Sequence, residues 1–580
     1  MIRPHLDDLL RRRFGVDDDL VLRLAGLTVE AAVDGHAALE LTDVPDLDLD
    51  AALAALTSSP AVRVAQPVDP ADPTAAAAVA PEAVRPLVLE GTRLATDRLH
   101  RTERRIVAAL ARRAGVLDAL SVPPVVAADH PEQRAAVAAL LGPGRTRGVG
   151  VLVGGPGTGK TTTVAALVAA VVAAADGGGP VRVALAAPTG RAASRLREAV
   201  EGRRDAVAAA HGDDVAAAVA GLQASTVHRL LGLRATRSRR ERTAPLPYDL
   251  VVVDEASMLA LPLAAELLDA LAPATQLVLV GDPHQLESIE TGAVLGSLVA
   301  GLGQDDDAGA AAGGPVARLR HGHRDLGAAE DRVRFAGAVR DGDADAALAA
   351  LTSADGRAGL AWVDTEQVMP PAEREEAILA PLLGAPGGAG LLGAAAAARD
   401  GDAATALAAL RGVRLLCAHR EGPRGVSHWT ARLRARLVPV FLTGEPVQVL
   451  ANDRSGLLAN GDVGVVVGRG AAQRIVFDVA DPAAGGGPLE RPPALAGPIA
   501  SALAVTVHRG QGSEFATVVV VLPAADSPLA TRELLYTAVT RAREHAVIVG
   551  DAAAVRACVV RRSVRVGGLA AGLRALAGAG

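Results

Sequence analysis

A glycine-rich segment, Gly-Gly-Pro-Gly-Thr-Gly-Lys-Thr at residues 154–161, has the composition of a phosphate-binding loop. An apolar run precedes it and an Ala/Val-rich run follows it, which predicts a strand, a tight turn and a helix. Glycines let such a turn direct its N–H groups at phosphates, and the helix dipole adds to the attraction. The predicted nucleotide-binding residues here are Gly154, Gly155, Pro156, Gly157, Thr158, Gly159, Lys160, Thr161 and Thr162.

Lys160 is the only lysine in a chain with 59 lysine and arginine residues. An ammonium is a compact point charge, whereas a guanidinium is larger, planar and bound to a fork geometry. A tight phosphate-binding loop therefore favours lysine where an open surface accepts arginine. We expect Lys160 to reach the β- and γ-phosphates of ATP and Thr161 to ligate Mg²⁺.

Asp254 and Glu255 end the apolar run Leu-Val-Val-Val. An acidic pair at a strand end is unremarkable alone, but with a phosphate-binding loop it predicts nucleotide hydrolysis. Asp254 is the predicted Mg²⁺ ligand, directly or through water. Glu255 is the candidate base that deprotonates the attacking water.

Apolar runs alternate with helical patterns from residue 149 to about 290, and a second such series occupies residues 413–551. Alternation of this kind predicts α/β architecture, with parallel sheets covered on both faces. Residues 437–500 are punctuated by Gly and Pro and rich in β-formers, which favours a small β-barrel insert. Residues 1–110 have helical periodicity, with a surface loop at 57–86. The Ala-rich tract 384–410 indicates no chemistry.

The net charge of −6 argues against a nucleic-acid coat protein, so any DNA contact should be local. Aromatic residues are 2% of the chain, which leaves Phe515 and Trp429 as the candidates for base stacking. Cys417 and Cys558 lack metal-site spacing and suggest a reducing compartment. The first residues lack the apolar core of a signal peptide, and the longest apolar run, 164–175, is too short to span a membrane. We expect a cytoplasmic protein without membrane contact.

Several further segments occur in a specific order. They are HPEQRAAV (130–137), APTGRAAS (187–194), STVHRLLG (225–232), GDPHQLESIETGAVLG (281–296), RHGHRDL (320–326), AVTVHRGQGSEF (504–515) and LLYTAVTRAR (534–543). Together with the loop and the acidic pair, they resemble the motifs of superfamily 1 DNA helicases, and most of all the RecD subunits of RecBCD-type complexes (exodeoxyribonuclease V). The resemblance covers roughly residues 125–555.

The resemblance implies more nucleotide-binding residues. Gln133 would contact the base, Gln285 would sense the γ-phosphate, and Glu514, near Gly512, would bind the ribose. A phosphate-contacting arginine is expected in RHGHRDL, at Arg324 or Arg320. An arginine finger is expected in TRAR, at Arg541 or Arg543, and such a residue supplies about 10³–10⁵ in rate in other NTPases.

The resemblance also implies DNA-binding residues: Pro188, Thr189, Arg191, Ser225, Thr226, His228, Thr506, His508 and Arg509. The family often has His-Lys-Ser where this chain has His508-Arg509-Gly510, which keeps the charge but loses a hydroxyl. Segment 233–247 carries five arginines and is either a DNA-phosphate contact or a solvated basic loop: Arg234, Arg237, Arg239, Arg240 and Arg242.

The resemblance implies two RecA-like P-loop domains at 111–315 and 316–580, the second with the β-barrel insert, and a partner-docking domain at 1–110. The expected activity is a 5′→3′ DNA helicase using ATP and Mg²⁺. It would act on single-stranded and double-stranded DNA ends, with RecB-like and RecC-like subunits, in double-strand-break repair and recombination. The nuclease chemistry would belong to a partner. A standalone superfamily 1 helicase, a non-catalytic scaffold and an ATPase acting on protein or RNA remain alternatives.

Overall fold

The structure, a computed structural model, describes most of the chain. The described residues are 2–69, 72, 84–113, 130–141, 148–174, 181–232, 244–303, 315–320, 330–354, 356, 359–367, 369–384, 390–437, 443–451, 453, 457–468, 470–480 and 487–578. Arg324 and the five arginines of segment 233–247 therefore lie outside the described residues. Among the described helices, none combines the length and apolarity that crossing a membrane requires.

The N-terminal segment contains a small sheet as well as helices. Its elements are α1 (Ile2–Phe14), α2 (Asp19–Val33), β1 (Leu39–Glu40), α3 (Leu49–Ser58), β2 (Val62–Val64), β3 (Leu87–Glu90), β4 (Arg93–Thr96) and α4 (Asp97–Arg112). The strands pair in the order β1-β4-β3-β2, with only β2 and β3 parallel. The predicted helical character did not include this sheet, because strands of two to four residues are too short to show alternation.

The first large sheet follows. Its elements are α5 (Pro131–Leu141), β5 (Val149–Gly154), α6 (Lys160–Ala173), β6 (Val183–Ala187), α7 (Gly190–Glu201), α8 (Arg204–His211), α9 (Asp213–Ala220), β7 (Ala224–Thr226), α10 (Val227–Leu230), β8 (Leu250–Val253), α11 (Leu261–Ala270), β9 (Gln276–Gly281), α12 (Val294–Leu302) and β10 (Val316–Leu319). All strands are parallel, in the order β10-β5-β9-β8-β6-β7. Strands β5, β8 and β9 are buried along their whole length, because helices pack on both faces.

The second half holds another parallel sheet and an antiparallel one. Its elements are α13 (Glu330–Asp341), α14 (Ala344–Ser353), β11 (Leu360–Val363), α15 (Pro371–Leu383), α16 (Leu391–Arg399), α17 (Ala403–Gly412), β12 (Val413–Cys417), α18 (Val426–Leu437), β13 (Pro446–Val449), β14 (Val463–Val467), β15 (Arg474–Ala480), β16 (Pro488–Arg491), β17 (Ile499–Ser501), β18 (Ala504–Thr506), α19 (Val507–Gly510), β19 (Phe515–Val521), α20 (Arg532–Val539), β20 (Ala542–Val549), α21 (Ala552–Val560) and α22 (Leu569–Gly578).

The second parallel sheet has the order β11-β20-β19-β12-β18. The five strands β13 to β17 form the predicted β-rich insert, antiparallel in the order β16-β15-β14-β13-β17. The described pairing is that of an open sheet, so closure of this insert into a barrel stays a prediction. The architecture is α/β with two parallel sheets, as the apolar runs indicated.

Three elements cross the expected domain boundaries. Strand β10, expected to open the second half, pairs with β5 in the first sheet. Helix α4, expected in the N-terminal domain, contributes Leu99, Ile106 and Leu110 to the core of the first sheet. Helix α22 returns from the far end of the chain and buries Leu573 in that same core. Boundaries at 110 and 315 therefore do not match the packing, since sequence spacing carries no information on which core a helix joins.

Residues 561–568, here called the C-terminal strap, carry the chain from α21 back to α22. The amides of Ala37 and Ala38 donate to the Val566 carbonyl at 2.8 and 3.2 Å. Glu103, buried in α4, accepts hydrogen bonds from the amides of Gly568 and Leu569, at the start of α22. The carboxylate thus satisfies donors that the helix itself leaves unpaired.

Burial raises the pKa of Glu103 from 4.5 to about 7, against the lowering by these amides and Arg93. The folded chain then holds a proton that the unfolded chain releases between about pH 4.5 and 7, so stability falls as pH rises through that window. We predict that the free energy of unfolding of the wild type, measured by urea denaturation, falls more between pH 5 and pH 8 than that of Glu103→Gln, by up to about 3 kcal/mol. Parallel pH dependence of the two proteins would contradict this.

Candidate active site

The turn between β5 and α6 has the shape that its glycines allow. Gly157 and Gly159 have φ of +79° and +84°, in the left-handed region that favours glycine. A Cβ atom at Gly159 would lie 2.2 Å from Gln133 Nε2, and one at Gly154 would lie 2.5 Å from Thr158 Oγ1. Glycine is therefore favoured by conformation at 157 and 159, and it leaves room for neighbouring side chains at 154 and 159.

Lys160 is the first residue of α6, so its side chain starts at the helix N-terminus. Its Nζ donates to the carbonyls of Gly154 and Gly155 at 2.8 and 3.0 Å. The ammonium thus lies folded against the loop that precedes it. This tight double contact is consistent with the selection of lysine by size and shape.

The acidic pair lies at the carboxyl end of β8. Asp254 Oδ1 accepts the Glu255 N–H at 2.8 Å, and Glu255 has φ of +51°, which is strained for a non-glycine residue. Removal from solvent, with the Glu255 carboxylate beside it, raises the pKa of Asp254 above its usual range. Lys160 opposes that shift, which places the loop ammonium near the acidic pair.

One of the hydrogen bonds that join the two parallel sheets lies at this site. Arg541, which follows α20 and is 3% exposed, donates from Nη2 to Gln285 Oε1 at 2.9 Å. Its other donors bind the carbonyls of Thr537 and Ser513 at 3.2 Å. Gln285 in turn donates to the Asp282 carboxylate at 3.2 Å. The guanidinium is thus held rigidly at the face of the first sheet.

A cavity of about 360 Å³ unites these groups. The predicted site residues on its wall are Gln133, Pro156, Gly157, Gly159, Lys160, Thr161, Thr162, Asp254, Glu255, Gln285, Gly512, Glu514 and Arg541. Three other predicted residues, Gly154, Gly155 and Thr158, line a neighbouring cavity on the far side of the loop. The alternatives Arg320 and Arg543 line that neighbouring cavity too, whereas Arg541 faces the site.

Arg195 also lines the cavity, although the sequence analysis did not select it. It donates to the Gly512 carbonyl at 3.0 Å and pairs with Glu514 at 3.3 Å, so it links α7 to the second half of the chain. It lies one helical turn after Arg191. That i, i+4 spacing was the available signal for a shared face.

The cavity fits a nucleoside triphosphate with Mg²⁺. Gln133 is 2% exposed, and its Oε1 has no hydrogen-bond partner among the described residues, which suits recognition of a purine edge. The loop amides and Lys160 provide the positive end for phosphates. The Thr161 hydroxyl and the Asp254 carboxylate are oxygen donors of the kind that Mg²⁺ prefers.

The predicted DNA-binding residues lie at three strand-to-helix turns. Thr189, Thr226 and Thr506 each cap the following helix, accepting the amides of Ala192, Arg229 and Arg509 at 3.2, 3.1 and 3.4 Å. The sequence Thr-Val-His-Arg occurs at 226–229 and again at 506–509, with nearly equal threonine φ and ψ. The two parallel sheets therefore present equivalent turns, which also position Pro188, Ser225, His228 and His508.

Arg191 interacts with strand β19 and with the β-rich insert. Its guanidinium lies 5.8 Å from the centroid of the Phe515 ring in β19, and Asp478 and Asp462 of the insert attract it electrostatically. Burial lowers its pKa to about 10, so it stays charged at neutral pH. Phe515 and Trp429 are both buried in the core, so neither described ring is available to stack a base.

Two family models match the chain in these same regions. One, described as an AAA domain, matches residues 133–291, and one described as a UvrD-like helicase C-terminal domain matches residues 501–549. The RecBCD enzyme subunit RecD of Mycobacterium tuberculosis (strain CDC 1551 / Oshkosh) is 42% identical over 521 residues, or 86% of this chain and 84% of that protein. The chain belongs to the RecD family.

A second RecD relative, the RecBCD enzyme subunit of Mycolicibacterium smegmatis (strain ATCC 700084 / mc(2)155), is 40% identical over 92% of this chain and 89% of its own. A Pif1 helicase solved in a study of unwinding at forked duplex DNA covers 73% of this RecD-family chain and 92% of its own, with 15% identity and a TM-score of 0.37. Family membership and the helicase domain match make this RecD-family chain an ATP-dependent superfamily 1 helicase.

We predict that Lys160→Arg in this RecD-family chain lowers ATP hydrolysis by about 100-fold or more, like Lys160→Gln, because a guanidinium cannot replace the ammonium inside the loop. Steady-state ATPase assays with single-stranded DNA measure the loss. Arg197→Lys, the reverse exchange on the outer face of α7, is the matched control and should retain wild-type activity. Near-normal hydrolysis by Lys160→Arg would show that charge alone suffices.

Proposed function

We propose that this chain is the 5′→3′ motor subunit of a RecBCD-type helicase–nuclease, which hydrolyses ATP to move along single-stranded DNA from double-stranded ends. The Arg541–Gln285 hydrogen bond carries the proposal. It brings an arginine of the second sheet to the nucleotide cavity of the first, so that hydrolysis depends on how the two sheets meet.

The proposed chemistry assigns one task to each residue around the cavity. Lys160 and the loop amides bind the β- and γ-phosphates, and Gln133 reads the base. Mg²⁺, held by Thr161 and Asp254, neutralises phosphate charge. Glu255 accepts a proton from the attacking water, and Arg541 stabilises charge that develops on the γ-phosphate.

The proposed DNA grip is mainly electrostatic and polar. The three threonine-capped turns direct backbone amides and side chains toward one strand, with Arg191 and Arg509 supplying charge. The burial of Phe515 and Trp429 supports this assignment, because these two rings cannot stack on bases and phosphate contacts then provide the affinity for DNA. Alternate closing and opening of the two sheets around ATP would then advance the chain along the strand.

We also propose how the chain assembles and which parts of it form the motor. RecB-like and RecC-like subunits would complete a cytoplasmic heterotrimer in double-strand-break repair and recombination, with residues 1–110 as docking domain. The similarity to RecD proteins over most of their length supports the assembly. Two RecA-like domains, expected from the sequence at about 111–315 and 316–580, would form the motor, with α4, β10 and α22 packed on the first of them. The second would carry a β-barrel at about 437–500.

The test is unwinding of duplexes with a 5′ tail or a 3′ tail, by the chain alone and with its RecB-like and RecC-like partners. We expect unwinding of the 5′-tailed substrate, a clear gain with partners, and loss of that gain with Lys160→Gln. Strong unwinding alone with no gain would favour a standalone helicase. An assembly indifferent to Lys160→Gln would indicate a scaffold, and ATPase activity indifferent to single-stranded DNA would point to another substrate.

A further inference from the structure

The loop from Asp282 to Gly292, here called the sensor loop, joins β9 to α12 and carries Gln285. One side of it is bound by the second half of the chain. The Leu286 amide donates to Thr537 Oγ1, and Gln511 Nε2 donates to the Leu286 carbonyl, both at 2.7 Å. These contacts fix the residue immediately after Gln285.

The other side of the sensor loop is bound by Arg565 of the C-terminal strap. Its guanidinium donates to the carbonyls of Ser288 and Glu290, and also to that of Gly292 at 3.4 Å. Its Nε lies 3.1 Å from the Glu287 carboxylate. The Arg565 side chain is 13% exposed, so these partners replace most of its hydration. Three carbonyls and one carboxylate of a single loop therefore bind one planar cation.

The same guanidinium reaches the N-terminal segment. Its Nη1 donates to the Gly35 carbonyl at 3.4 Å, and that carbonyl also accepts the Gly292 amide at 2.9 Å. A Cβ atom at Gly35 would lie 2.7 Å from Arg565 Cζ, so the residue type at 35 leaves room for the arginine. The Thr291 hydroxyl adds a bond to the Ala32 carbonyl at 3.2 Å. The sensor loop, strap and N-terminal segment thus meet around Arg565.

Arg565 is also electrostatically close to a DNA turn. Burial lowers the pKa of His508, and the charge of Arg565 lowers it further. His508 belongs to the second Thr-Val-His-Arg turn. The charge of Arg565 therefore acts both on the sensor loop and on a residue proposed to contact DNA.

We propose that Arg565 is a positioning residue for ATP hydrolysis, which holds the sensor loop so that Gln285 meets Arg541 in the nucleotide cavity. This inference rests on the proposed roles of Gln285 and Arg541. The physical basis is the short distance along the chain between Gln285 and the residues that Arg565 binds. Glu287 and Ser288 are two and three residues after Gln285, so loss of Arg565 leaves the two Leu286 contacts alone to hold the backbone that orients the amide. Displacements of about 1 Å at a reacting centre lower rates by as much as about 100-fold.

The experiment compares Arg565→Ala, Arg565→Lys and Gln285→Ala in the full chain, with saturating single-stranded DNA. We expect Arg565→Ala to lower kcat for ATP about 10–100-fold while the affinity for a fluorescent ATP analogue stays within about twofold. Arg565→Lys should give an intermediate kcat, because it keeps the charge beside Glu287 but loses the fork that binds several carbonyls. Arg562→Ala, at the 64% exposed neighbour, is the matched control and should behave as wild type.

The double variant Arg565→Ala/Gln285→Ala distinguishes positioning from a general loss of structure. If Arg565 acts through Gln285, adding Arg565→Ala to Gln285→Ala changes kcat by less than about twofold, whereas independent effects would multiply and overturn the inference. Unchanged kcat in Arg565→Ala, beside a low kcat in Gln285→Ala, would also overturn it and leave the proposed function standing. Normal kcat in Gln285→Ala would instead contradict the proposed function of the site.

Discussion

One hydrogen bond between Arg541 and Gln285 gives the two parallel sheets a common function. Each sheet has its own core, with strands buried by helices on both faces. The Arg541 guanidinium follows the second sheet and the Gln285 amide follows the first. Where they meet, the cavity combines groups from both sheets for phosphate chemistry. Contacts from Arg195, Thr537 and Gln511 surround that bond and keep the sheets in one arrangement.

The use of lysine and arginine follows the space around each charge. At the phosphate-binding loop, Lys160 donates to two neighbouring carbonyls at 2.8 and 3.0 Å, a compact contact that suits an ammonium. At the C-terminal strap, the carbonyl partners of Arg565 come from several residues, and a planar fork can bind them together. The position of the single lysine is therefore the one where a compact charge is expected to matter most.

Much of the site was readable from the sequence, because its parts are local. Long apolar runs predicted β5, β8 and β9, and the motif order pointed to the residues that line the cavity. The rest depends on contacts between distant segments. The short N-terminal strands show no alternation, β10 stays in the first sheet beyond the expected boundary, and α22 joins a core far from its sequence neighbours. The contacts that Arg195 and Arg565 make with distant segments follow only from the fold.

We infer that the second sheet supplies a group required for ATP hydrolysis but not for nucleotide binding. The decisive measurement is single-turnover hydrolysis of ATP by Arg541→Ala together with its ATP affinity, with Arg543→Ala as the matched control in the neighbouring cavity. We expect hydrolysis lowered by about 10³-fold or more with affinity within about threefold of wild type, and a normal rate for Arg543→Ala. Wild-type hydrolysis by Arg541→Ala, or a loss of affinity that accounts for the whole effect, would contradict it.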